Sequence, residues 1–119
     1  MTNTTKLSES TTQQANPIYS DFGGEEGMAE LVELYVDEMP ERIETLDRCG
    51  KRQDIKELAR LAHQLKGAAG SYGFMQISEI AEQLDRAIKI CSGPSDLQRV
   101  EDLLARTIDA CRRAKAGTP

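Results

Sequence analysis

Three features of this 119-residue sequence predict an all-α fold, an antiparallel up-down-up-down four-helix bundle with a short N-terminal lead-in. Apolar residues recur at helical spacing through four segments, Gly and Pro fall between those segments, and no segment alternates as a strand would. Aromatics make up only 4% of a chain that is 39% apolar and has no Trp, so the core must be aliphatic and alanine-rich, which suits helix-on-helix packing.

The organisation follows from composition. Residues 1–16 are rich in Thr, Ser, Gln and Asn and read as a flexible polar tail. Residues 17–115 form the four-helix domain, and 116–119 a C-terminal tail. Ile18, Tyr19 and Phe22 are apolar enough to pack as the lead-in. From Glu25 to Cys49 the stripe is Met28, Leu31, Val32, Tyr35, Met39, Ile43 and Leu46. Pro40 removes one hydrogen bond inside it, so one bent helix is expected, kinked or broken near Val36 to Met39 and stopped by Gly50.

Asp54 should cap the second helix, with Glu57 completing a capping box. Its stripe is Ile55, Leu58, Ala62, Leu65, Ala69 and Tyr72, and Gly73 terminates it. The third helix starts near Met75 with Ile77, Ile80, Leu84, Ile88 and Cys91 facing inward, until Gly93-Pro94 stops it. Ser95 and Gln98 make a second capping box at the head of the fourth helix, whose stripe is Leu97, Val100, Leu104, Ile108 and Cys111.

A net charge of -5 argues against nucleic acid as the main partner. No apolar run approaches the roughly 20 residues needed to span a bilayer, so no membrane partner is expected. Residues 1–15 lack the apolar stretch of a signal peptide, and a cytoplasmic location is the expectation. Three well-separated cysteines, Cys49, Cys91 and Cys111, read as reduced thiols rather than a disulfide or zinc framework.

The sole histidine, His63, opens the run His63-Gln64-Leu65-Lys66-Gly67-Ala68-Ala69-Gly70-Ser71-Tyr72-Gly73-Phe74. At about 100° per residue, His63, Gly67 and Gly70 fall within about 60° of one another, and Lys66 borders the strip. Each glycine costs roughly 1 kcal/mol against alanine inside a helix. Two beside one imidazole suggest that something large must approach it. A lone helical histidine is ordinarily just a surface residue; the glycines tip the reading toward function. His63 lies on the exposed shoulder of its helix. On the next helix Asp85 and Lys89, four residues apart, share a shoulder that adjoins it if the two helices form a hairpin. Asp85 could then orient one ring nitrogen and leave the other as nucleophile. Between Lys51 and Lys66 five basic residues face two acidic ones, and Lys56 and Arg60 lie on the exposed side near His63. That local reversal of sign suits an acidic surface or a phosphoryl group.

The stretch His63 to Phe74 resembles the histidine-containing phosphotransfer (HPt) domain family, which carries His-x-x-Lys-Gly, then small residues, then a second glycine six positions beyond the first. Here those are His63, Lys66, Gly67, Ala68-Ala69 and Gly73. Leu58–Ala62, Ile80–Asp85 and Met39-Pro40 extend the likeness over roughly residues 18–113. The resemblance implies that His63 accepts a phosphoryl group on Nε2 from a receiver-domain phosphoaspartate and passes it to another receiver. Lys66 would neutralise phosphoryl oxygens. Gly67, Gly70, Gln64, Arg60 and Lys56 would face the docked receiver, and Asp85 and Lys89 would support the ring. The chain itself would bind no metal and no cofactor, and the divalent cation would sit on the receiver. It would not be an enzyme in the turnover sense, which fits the absence of any Gly-rich nucleotide loop or Walker motif. The implied partners are response-regulator receivers or a hybrid histidine kinase, and a free-standing monomer is the expectation.

Other readings use the same residues. A binding-only adaptor would dock a receiver without phosphorylation. A metal or haem bundle lacks its motifs, with one histidine and no Glu-x-x-His. A histidine-kinase dimerisation domain would have an acidic residue directly after the histidine, where this chain has Gln64.

Overall fold

Helix-ending chemistry divides the chain. The computed structural model describes residues 16–119, so the expected polar tail lies, but for Asn16, outside the described residues. Five helices follow a two-residue strand: β1 (Ile18–Tyr19), α1 (Ala29–Asp37), α2 (Met39–Lys51), α3 (Ile55–Ser71), α4 (Met75–Lys89) and α5 (Pro94–Arg113), with β2 (Ala114–Lys115) last. The long first helix is thus two. Glu38 keeps helical dihedrals between them, but Pro40 stands in the first turn of α2 and has no N–H to continue the ladder.

The stop of α2 is not Gly50, which lies inside the helix. A side chain there would run into Leu104 of α5, so Gly50 is a packing residue. The left-handed position falls on Gln53, at φ 54°. Its N–H donates to the Gly50 carbonyl (3.1 Å) and that of Asp54 to Cys49 (3.0 Å), the paired bonds of a Schellman ending. Asp54 caps α3 at once by accepting from the Glu57 N–H at 3.2 Å. Only half the expected capping box forms, because the Glu57 carboxylate pairs with Arg60 instead. At the other end of α3 the same motif recurs with glycine: Gly73 has φ 84°, Phe74 N–H donates to Ala69 (2.8 Å) and Gly73 N–H to Gly70 (3.1 Å). Phe74, directly after, is fully buried. The Ser95–Gln98 box is absent. α5 opens at Pro94 with Gly93 as its cap, Gln98 bonds Asp102, and Asp96 accepts from Ser92.

α2 packs on α3 and α5, and α4 on α3 and α5, with the α3–α4 contact the most extensive. The all-helical fold class holds. Buried in it are Leu58, Ala62, Leu65 and Ala69 of α3, Ile77, Ala81, Leu84, Ala87 and Ile88 of α4, and Val100, Leu103, Leu104, Ile108, Ala110 and Cys111 of α5. α1 buries Val32 and Tyr35 but leaves Leu31 exposed, since it has few helix neighbours. Tyr35 stacks on Tyr72 with centroids 4.5 Å apart, and the Arg42 guanidinium lies 4.3 Å from its ring centre.

The two ends of the described region are stitched together. β1 pairs in parallel with β2, Ile18 against Ala114 and Tyr19 against Lys115, a strand pair too short for sequence alternation to reveal. The lead-in then clamps the α3–α4 turn: Ser20 Oγ donates to the Tyr72 carbonyl (2.5 Å) and the Asp21 N–H to Gly73 (3.0 Å). Beyond β2, Ala116 packs against the core and the Gly117 carbonyl sits against Gly23.

Candidate functional site

α3 sets the site because its apolar residues turn one strip to the core and leave His63 on the other side. The His63 side chain is 70% exposed. One turn on, a side chain added at Gly67 would meet nothing within 4 Å, so the surface beside the imidazole is open. Gly70 differs. A Cβ there would come within 3.3 Å of Ser78 Oγ on α4. That hydroxyl donates to the Lys66 carbonyl at 2.8 Å. The missing side chain at Gly70 therefore lets α4 approach and pin the turn that carries Lys66. Ser78 went unnoticed in the sequence, where a small polar residue early in a helix carries no signal of its own.

Lys66 is half-buried and, among the described residues, forms no ion pair. Lys56 is likewise exposed without an ion pair among the described residues. Arg60 is engaged: its Nε donates to Glu57 Oε1 at 2.9 Å, and a second short contact joins the other oxygen. That partner pulls the Glu57 carboxyl below its ordinary range. Gln64 lines a groove of about 440 Å³ between α2 and α3, with Leu61, Glu38, Glu41 and Arg42 among its walls. His63 does not line that groove.

Asp85 is not on an exposed shoulder. Its side chain is 4% exposed, because α4 is flanked by both α3 and α5 and its buried arc is wide. One oxygen, Oδ2, lies 3.2 Å from Lys89 Nζ and 3.7 Å from His63 Nδ1. The first is a close ion pair and the second lies beyond hydrogen-bonding reach. The α3–α4 contact does bring the two residues together, and Asp85 stands beside the ring without bonding it.

Among the described residues no group of three or more His, Cys, Asp or Glu side chains is placed to hold a metal ion, and no helix is long and apolar enough to cross a membrane. The site offers a nucleophilic nitrogen, a cation one turn away, a buried carboxylate behind the ring and open space in front. Nothing encloses a small substrate.

The Hpt domain family model matches residues 30–114. The phosphorelay intermediate protein YPD1 of Candida albicans is 34% identical over 61 residues, which is 50% of this chain and 33% of that protein. The match thus spans about a third of the relative's own length. No solved structure gives a significant match.

Proposed function

The chain belongs to the Hpt domain family, and on that premise we propose that it is a phosphorelay carrier in two-component signalling. His63 takes a phosphoryl group from a receiver-domain phosphoaspartate and yields it to a second receiver. The observation that carries the reading is the exposed His63 imidazole with open space one turn on at Gly67.

In the transfer, the Nε2 lone pair attacks phosphorus as the bond to the receiver's aspartyl oxygen breaks, and that electron pair leaves with the receiver's carboxylate. The remaining ring proton stays on Nδ1, facing Asp85. Phosphoryl transfer depends on in-line positioning and charge neutralisation more than on covalent help from side chains. Lys66 supplies the cation. Gly67 lets the receiver's loops descend to the ring, while Gln64 and Lys56 lie on the docking surface. Arg60 joins it only by leaving Glu57, and Gly70 contributes through the packing of α4. The receiver supplies the acidic pocket and its divalent metal. The carrier needs no nucleotide and no turnover of its own.

The framework for this reading is an antiparallel up-down-up-down bundle of α2 to α5. It is supported by the tight turns at Gln53 and Gly73 and by the closed ring of helix contacts. A monomer in the cytoplasm, served by receivers or a hybrid kinase, completes the proposal; the free thiols of Cys49, Cys91 and Cys111 suit a reducing compartment.

The test is incubation with a phosphorylated receiver followed by intact mass. An acid-labile, alkali-stable adduct that maps to His63 and is lost in His63→Gln, with the melting curve unchanged, supports the carrier. Receiver binding without an adduct replaces it with a docking adaptor.

A further inference from the structure

Asp85 Oδ2 serves two neighbours at once. Lys89 Nζ is 3.2 Å away on the same helix, and His63 Nδ1 is 3.7 Å away across the α3–α4 contact. The carboxylate is held in the packed interior, with 4% of its side chain exposed, whereas His63 and Lys89 are 70% and 66% exposed. A fixed acceptor thus faces two side chains that are free to move. Only Lys89 holds it as a close ion pair, and the imidazole lies beyond hydrogen-bonding reach. We infer that Lys89 is a positioning residue for His63: it occupies the Asp85 carboxylate while the ring is unmodified, and releases it to Nδ1–H when Nε2 carries the phosphoryl group.

The chemistry requires a change of partner. An imidazole substituted at Nε2 has its remaining proton on Nδ1, so the phosphorylated ring is a fixed donor on the side of Asp85. Rotation of an exposed side chain closes the gap of 3.7 Å. Lys89 then leaves Oδ2, and its ammonium turns out to solvent, where most of its side chain already lies. In the unmodified protein the lysine neutralises the carboxylate and weakens its hold on the ring. Charged groups facing His63 are then Asp85 and Lys89 from α4, with Lys66 and the Glu57-paired Arg60 on its own helix. Lys89 therefore sets how strongly the carrier retains the phosphoryl group, and through that the direction of flow between two receivers.

This inference rests on the carrier reading, and the experiment separates the two. Imidazole 15N shifts are recorded on unphosphorylated native protein, Lys89→Met, Lys89→Arg and Asp85→Asn. In Lys89→Met the carboxylate has only the ring left, so the Nδ1–H tautomer should rise. Lys89→Arg should restore the native pattern. The phosphotransfer equilibrium with one receiver should move toward phosphohistidine by about three- to fivefold in Lys89→Met, the fold-change such a partly exposed pair carries. It should not move when Asp85→Asn is already present. Lys89 is an exposed side chain, and a melting curve shows that the variants fold. Unchanged tautomers and an unchanged equilibrium in Lys89→Met overturn the assignment. No adduct in the native protein overturns the carrier reading instead.

Discussion

Two strips run along α3 and answer to different constraints. Leu58, Ala62, Leu65 and Ala69 are buried, each fixed by neighbours on other helices. The His63 side chain is largely exposed, and Gly67 faces open space. The buried strip determines where the helix lies, and the open strip determines what can reach it. Gly70 sits between them: it is on the His63 side by angle, yet it abuts Ser78. The comparison teaches that stability and chemistry are separable on this helix at a distance of one or two residues.

Leu58→Ala should break the buried strip most severely. Leu58 is fully enclosed, and its truncation should cost about 2–5 kcal/mol. Urea denaturation would read that loss, while phosphoryl acceptance by the fraction still folded should persist. Gly73→Ala ranks next. Its Cβ would meet Ser20 Oγ at 2.5 Å and Phe22 at 2.8 Å, on a backbone with φ of 84°. A loss of about 1–3 kcal/mol is expected, together with faster amide exchange at Asp21 as the lead-in lifts.

Gly67→Ala should have the opposite signature. With free space around it, an added methyl should raise stability by about 0.5–1 kcal/mol through helix propensity, while receiver-dependent transfer slows. A rise in melting temperature with unchanged transfer would mean that the open strip is not where the receiver docks.

The smallest effect is Tyr35→Phe at neutral pH. The Tyr35 hydroxyl is buried without a hydrogen-bond partner among the described residues, so its removal should change stability by no more than about 1 kcal/mol. Burial pushes Tyr35 up to about 12 and Cys111 likewise to about 12. Both therefore stay protonated in the fold at a pH where the unfolded chain has ionised. Stability is fully present below about pH 9 and falls as pH rises toward 12. Tyr35→Phe should lessen that fall, read as urea midpoints at pH 8 and pH 11.

The helix boundaries were legible where chemistry was local. Asp54 as a cap, Gly73 as a terminator and Pro40 as a break are properties of single residues and their neighbours. Gly50 misled because a glycine can serve a turn or a close approach, and only the position of Leu104 across the bundle decides between them. Asp85 misled for a related reason. A stripe centred on the large residue Leu84 omits Ala81 and Ala87, so the buried arc of α4 looked narrower than it is. Of the site, His63, Lys66 and Gly67 could be read from spacing. The packing of Gly70 on Ser78, the pairing of Arg60 with Glu57 and the shared oxygen of Asp85 depend on how side chains settle once helices meet.

The parallel pairing of β1 with β2 has a mechanical consequence. Tension applied at residues flanking the two strands pulls them past each other along their length, so their hydrogen bonds load together instead of opening one at a time. The strands stand at opposite ends of the domain's sequence, and a pull from outside meets this patch before it reaches α3. The helix that carries His63 is thus shielded from forces transmitted along the chain until the patch gives way.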